Sequence, residues 1–254
     1  KTTLTFAETR QGGVGIKQVE PPWLNSGSLT QGAMFRALFK AGPDMTTVRP
    51  DLASGYKISK DGKTVTITLK SGLKWSDGKP ITTDDVLWSM NSALRVTKIN
   101  ANYSNSFKLI DGASAVTAAN KATMSGLTAK GNEITIKLGA PQPLLIPILA
   151  QFIILPKHVL EDEDLLRQDT SKYWLDPVSS GPFKDGKLSP DNFITLVPNS
   201  NFEGTKPKIQ EINVISSTAL LADARSGKVD FFITQDADTI RVMRSVNIFK
   251  SYQT

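Results

Sequence analysis

The sequence predicts an α/β fold with a parallel βαβ unit and a separate α+β subdomain. Three observations predict it. INVIS (212–216), STALLADARSG (217–227) and VDFFI (229–233) read as strand, helix, strand, an order that implies a parallel βαβ unit. Two stretches, YKISKDGKTVTITLKSG (56–72) and LTAKGNEITIKL (127–138), alternate apolar and polar side chains around Asp61-Gly62 and Gly131-Asn132, as β-hairpins do. The 254 residues, 39% of them hydrophobic, suffice for one or two domains with a substantial core.

In chain order, LTFAE (4–8) is a first strand, and Gly12-Gly13-Val14-Gly15 is a loop without the GxGxxG spacing of a phosphate cradle. Asn25-Ser26-Gly27 precedes a helix bearing Met34, Phe35 and Leu38. After the first hairpin comes Trp75, and Ser76-Asp77-Gly78-Lys79-Pro80 then reverses the chain. Thr82 or Thr83 caps the next helix, with Asp84 and Asp85 in its first turn, where carboxylates favour the unpaired amides. Val86, Leu87, Met90, Ala93 and Leu94 form its core-facing stripe. A catalytic reading of the two aspartates needs a pocket and a partner group, so capping is preferred. Trp75 and Trp88 read as core aromatics.

PLLIPILAQFIILP (143–156) holds Gln151 and three prolines and is short of the roughly 20 residues of a membrane helix, so it is buried core. HVLEDEDLLRQ (158–168) predicts a short helix whose acidic run is a solvated face, since calcium loops alternate their ligands around a glycine. FITLV (193–197) and INVIS (212–216) are strands, each expected to lead into a helix. In STALLADARSG, Ser217 or Thr218 caps, Leu220, Leu221 and Ala224 face inward, and Gly227 stops the helix; VDFFI is then a short buried strand.

Composition narrows the chemistry. The net charge of +6 comes from singly scattered cations, which argues against nucleic acid. There is no cysteine, hence no thiol nucleophile and no thiolate metal site, and the one histidine, His158, cannot build a His cluster. Ser/His/Asp hydrolase and P-loop chemistry each lack a required group. A glycosidase remains open only if two buried acids face one pocket, and an interaction module only if a broad apolar patch is exposed. KTTLTFAE lacks the charged leader and apolar run of an export signal.

DGKTVTITLKSGLKWSDGKPITTDDVLWSM (61–90) resembles the signature of the bacterial extracellular solute-binding proteins of the oligopeptide and dipeptide class, family 5, which feed ABC importers. Other segments resemble that family in its own order: EPPWLNSGSLTQGAMFRALFKAG (20–42), RPDLASGYKIS (49–59), SSGPFKDG (179–186), VPNSNFEGTKPKIQEINV (197–214) and ALLADARSGKVDFF (219–232). Ser180 and Phe183 stand where the family usually has threonine and tyrosine, removing a hydroxyl.

The resemblance implies a periplasmic-binding-protein-like lobe. Residues 1–45 and 176–254 are expected to form its α/β domain and 46–175 the inserted α+β subdomain, with a second lobe after 254 that is not in this chain. It implies a short peptide held between lobes by main-chain pairing, ABC permease partners in the membrane, and a monomer outside the cytoplasmic membrane, with no cofactor, no metal, no catalysis and no nucleic-acid partner. An oligosaccharide, an opine or a nickel chelate is the alternative ligand. By positional match Trp23, Leu24, Asn25, Ser26 and Gly27 run beside the peptide. Independently, ligands favour the carboxyl ends of parallel strands, which points to the loop after LTFAE up to residues 22–27 and to Thr234-Gln235-Asp236. Gln235 and Asp236 are therefore candidate ligand-binding residues, although Asp236 or Asp238 serves equally as a helix cap.

Overall fold

A computed structural model describes residues 2–8, 21–23, 29–42, 44, 47–96, 99–163, 171–188, 194–234 and 236–245. The glycine-rich loop at 12–15 lies outside the described residues. In chain order the elements are β1 (Thr3–Glu8), α1 (Leu29–Met34), β2 (Phe39–Ala41), β3 (Val48–Pro50), β4 (Ala53–Ile58), β5 (Thr64–Leu69), α2 (Thr83–Ala93) and α3 (Ala101–Phe107). There follow β6 (Leu127–Lys130), β7 (Glu133–Lys137), α4 (Leu145–Leu149), α5 (Lys157–Leu160), β8 (Phe183–Leu188), β9 (Ile194–Pro198), β10 (Glu211–Ser216), α6 (Leu220–Arg225), β11 (Phe231–Phe232) and α7 (Ala237–Ser245).

The chain divides into two compact units. The first comprises Lys1–Val19, Asp185–Pro198 and Pro207–Thr254, the second Glu20–Lys184 and Asn199–Lys206. Residues 20–45 and 176–184, expected with the α/β domain, therefore group with the α+β unit. The reason is tertiary: Ala37 bridges Ile153, the Arg36 carbonyl accepts the Ile154 amide at 3.0 Å, and the Met34 carbonyl accepts the amides of Ser180 and Gly181 at 3.0 and 2.7 Å. No local pattern announces such contacts.

The first unit is built on a mixed sheet of order β11-β1-β10-β9-β8. β1 runs parallel to both neighbours, with Phe6 opposite Val214 on β10 and opposite Phe231 on β11. This interior strand buries Phe6 and Ala7, at 2% and 0% exposure, and Phe6 stacks on Phe231 at 5.5 Å. Asp230 prolongs the ladder, its carboxylate accepting the Thr5 amide at 2.8 Å while its own amide donates to the Thr5 carbonyl at 2.9 Å. Strand β10, helix α6 and strand β11 form the expected parallel unit, with β1 between its two strands.

Two expectations change here. VDFFI is an edge strand, and Phe231 is 41% exposed, because only one side of β11 has a partner in the sheet. No helix follows β9. Residues Asn199–Lys206 belong to the other unit, and the chain returns as β10, antiparallel to β9 with Ile212 opposite Leu196.

The second unit holds the antiparallel pair β2-β3 and a four-stranded antiparallel sheet of order β4-β5-β7-β6. Its turns follow the residues that demand them. Gly131, at φ 56°, sits in the left-handed region that a two-residue hairpin turn requires. After Trp75, the Gly78 amide donates to the Trp75 carbonyl at 2.9 Å and the Asp77 carboxylate accepts the Lys79 amide at 3.0 Å. Val65, Ile67, Leu69, Ile134 and Ile136 bury the inner face of the sheet.

Helix α2 starts as its sequence dictates, with Thr82 as N-cap and the Asp85 carboxylate accepting the Thr82 amide at 2.8 Å. The same carboxylate accepts the Lys157 amide at 3.0 Å, while Asp84 remains exposed. Val86, Met90 and Ala93 are fully buried; Leu87 and Leu94 are half-buried. Trp75 is a core residue as expected, whereas Trp88 is half-buried. The 143–156 run is core throughout Leu145, Ile146, Leu149, Phe152, Ile154 and Leu155. Phe152 gathers Trp23, Tyr103 and Phe107 with ring centroids at 5.4, 5.3 and 4.8 Å. Helix α5 ends at Leu160, shorter than the acidic run suggested, and residues 164–170 lie outside the described residues.

A buried ionic hub joins distant parts of this unit. Arg36, 4% exposed, donates through Nε to Asp51 Oδ1 at 2.7 Å and through Nη1 to Glu203 Oε1 at 2.5 Å. Its guanidinium carbon lies 5.3 Å from the Phe202 ring centroid. Lys40 Nζ reaches the other Asp51 oxygen at 3.4 Å.

Candidate functional site

Because β1, β10 and β11 are parallel, their carboxyl ends share one edge of the sheet, Glu8 lying opposite Ser216 and Ala7 opposite Phe232. Open α/β sheets bind ligands outside that edge. In the first unit a groove of about 970 Å³ opens there, lined from the β10 side by Thr218–Ala222, Arg225 and Ser226 and from the β11 side by Thr234, Asp236 and Thr239.

Each wall is set by a side chain that starts a helix. Ser217 follows β10, accepts the Ala219 amide at 3.2 Å and donates to the Asp223 carboxylate at 2.8 Å. These bonds turn the chain so that α6 begins at Leu220, with Ala219 in the cap position that the sequence assigned to Ser217 or Thr218. Only Ala224 of the predicted inward positions is fully buried. Leu220 and Leu221 are half-buried and line the groove. The Ser217 hydroxyl is also the main cause that lowers the Asp223 carboxyl below its usual range.

On the other wall, the Thr234 hydroxyl accepts the Asp236 amide at 3.1 Å, and the Asp236 carboxylate accepts the Thr239 amide at 2.7 Å. Asp236 therefore lines the groove and caps α7 at once. Its bonds to Thr239 hold the carboxyl below the usual carboxylate range. Asp238 instead pairs with Arg241 at 3.0 Å.

Of the candidate ligand-binding residues, Asp236 lies on this groove, together with Thr234 of the same turn. Leu24, Asn25, Ser26, Gly27 and Gln235 lie outside the described residues. Trp23 is interior to the second unit, at 0% exposure, with its indole N–H donated to the Ile153 carbonyl at 2.8 Å and its ring stacked on Phe152. It offers a ligand no face. Thr218, Leu220, Leu221 and Arg225 were missed as groove residues. The signal that finds Thr218, Leu220 and Leu221 is the same carboxyl-end rule, applied to β10 as well as to β1 and β11; Arg225, at the far end of α6, has no such signal.

Among the described residues, no group of three or more His, Asp or Glu side chains is arranged to hold a metal ion, and no helix is long and apolar enough to cross a membrane. Asp84 and Asp85 form no acid pair facing a common pocket, since Asp85 is spent on two backbone amides. Burial is the largest influence on Asp85 and raises its carboxyl above the ordinary value, partly countered by those amides.

Comparison with known proteins adds to this geometry. Residues 47–253 match the sequence profile of the bacterial extracellular solute-binding proteins, family 5 middle part. The oligopeptide-binding protein OppA of Bacillus subtilis is 28% identical over 213 residues, a match covering 79% of this chain and 38% of that protein. Lactococcal OppA, solved with an endogenous peptide in the closed conformation, superposes with a TM-score of 0.79 at 22% identity over 97% of this chain and 48% of that one. NikZ from Campylobacter jejuni, solved with Ni(L-His), gives a TM-score of 0.76 at 23% identity over 97% of this chain and 46% of that one. The chain thus spans between a third and a half of the length of these proteins.

Proposed function

The chain belongs to the family 5 bacterial extracellular solute-binding proteins, and from that premise we propose that it forms part of a receptor that captures short peptides outside the cytoplasmic membrane for an ABC permease. The supporting observation is the groove at the common carboxyl edge of β1, β10 and β11, whose walls mix hydroxyl groups, backbone and two half-buried leucines. Such a surface suits an extended peptide. Main-chain hydrogen bonds supply affinity with little demand on sequence, and waters fill the space that different side chains leave.

In this reading a second lobe supplies the facing wall and closes over the peptide, and the closed monomer is the form the permease meets. Leu24, Asn25, Ser26, Gly27 and Gln235 remain candidate ligand contacts, as Asp236 does. No bond is made or broken, so the work consists of desolvation, pairing and closure.

Isothermal titration with a mixed pool of di- to pentapeptides tests the reading, using residues 1–254 and the longest natural polypeptide that contains them. Saturable binding by the longer polypeptide is expected, with far weaker binding by residues 1–254. Equal affinity for both removes the two-lobed clamp. Binding of the pool by neither removes the peptide.

A further inference from the structure

We propose that Arg225 is a specificity-determining residue of the groove, the cation that receives a carboxylate of the bound peptide. The inference rests on the peptide-binding reading and sharpens it from any peptide to a peptide carrying a free acid at one position.

The cations of this unit near the groove differ in one respect. Lys228 is paired with Asp223 at 3.4 Å, and Arg241 with Asp238 at 3.0 Å. Arg225, the last residue of α6, is exposed, lines the groove and has no ion pair or hydrogen bond among the described residues. The groove also holds a carboxylate, Asp236, yet no ion pair joins the two, because that carboxylate is turned to the Thr239 amide. Arg225 therefore faces the groove with its full charge and all five of its donors available.

Guanidinium matches carboxylate as a fork matches a fork, through two parallel N–H···O bonds, which gives orientation as well as attraction. Leu220 and Leu221, beside it on the same helix, exclude part of the water that would otherwise screen the pair. A neutral ligand leaves this cation merely hydrated, and a ligand with a second cation at that point is repelled. The acid has two sources in a peptide, its carboxyl terminus or an Asp or Glu side chain.

The test is calorimetry on the longest natural polypeptide carrying these residues, with three probes: trialanine, trialanine amide and Ala-Glu-Ala amide. The wild type is compared with Arg225→Gln and Arg225→Lys, each checked by circular dichroism; both sit at an exposed position that the fold does not need. A charge-assisted bidentate contact at a partly hydrated wall predicts about a tenfold preference for an acid-bearing probe over trialanine amide. That preference is lost in Arg225→Gln and partly restored in Arg225→Lys. If trialanine carries the effect, the acid is the carboxyl terminus; if Ala-Glu-Ala amide carries it, the acid is a side chain. Wild-type binding with the same preferences in Arg225→Gln overturns the inference alone. Wild-type binding of none of the three probes overturns it together with the peptide reading.

Discussion

Replacing Asp85 by alanine removes one acceptor from two backbone amides at once, that of Thr82 at 2.8 Å and that of Lys157 at 3.0 Å. Thr82 is exposed, so water takes over part of the first bond, at a cost of about 1 kcal/mol, the usual worth of an N-terminal cap. The Lys157 amide is less accessible, and an unpaired amide there costs about 1–2 kcal/mol. Against these stands a gain, because a 4% exposed carboxylate is no longer held out of water. The losses outweigh the gain, and the net expectation is a destabilisation of about 2 kcal/mol, read in urea as a midpoint lowered by roughly 0.7 M. Asp84→Ala, at the neighbouring exposed position, is expected to change stability by less than about 0.5 kcal/mol.

The pH dependence carries a sign. Burial raises the folded carboxyl of Asp85 above its ordinary value of 3.8, so the folded state binds this proton more readily than the unfolded one. The contribution of Asp85 to stability therefore grows as pH falls through the raised value towards 3.8, and Asp85→Ala lacks that growth. The stability gap between wild type and variant should widen over this window. Equilibrium urea titrations at pH 7 and across that window decide it. A variant within about 0.5 kcal/mol of wild type at pH 7 refutes the capping argument, and a gap that narrows on acidification refutes the burial-raised carboxyl.

Two other substitutions probe the interior. Trp23→Phe keeps the stack on Phe152 but loses the bond to Ile153, and should cost about 1–3 kcal/mol in a denaturant titration while leaving peptide affinity unchanged, since Trp23 is interior; a specific loss of affinity in a folded variant would return it to the site. Arg36→Met strands Asp51 in a buried position with only the exposed Lys40 near it, a cost of about 3–5 kcal/mol, and Arg36→Met/Asp51→Leu should recover at least half of that by thermal or chemical unfolding. A double variant no better than the single one would show that the hub is not an ionic pair in energetic terms.

What the sequence made legible was what short-range chemistry controls. Gly131-Asn132, the Trp75 turn and the Thr82–Asp85 cap form as their residues require, because each closes within a few positions. The grouping of residues 20–45 was not legible, since it depends on Ala37 meeting Ile153 and on Arg36 meeting Glu203. Nor was the edge position of VDFFI, whose apolar run reads alike for a central strand and for one covered on a single side. At the site, the carboxyl-end rule found Asp236. Leu220 and Leu221 were read as core because helical spacing alone cannot say where Ser217 will start the helix, and Trp23 was placed beside the peptide because an aromatic before a loop looks the same whether it is outside or in.

Strand β1 finds its neighbours far along the chain. Thr5 meets Asp230 across a separation of 225 residues, and the other side of β1 is filled by β10. At ~5–20 residues per second, a ribosome delivers these partners roughly 10–45 s after β1 emerges. For that interval β1 lacks both of its partners and the first unit cannot close, so the nascent chain stays pliable, and open to any holdase that keeps it so, until β10 and β11 have emerged.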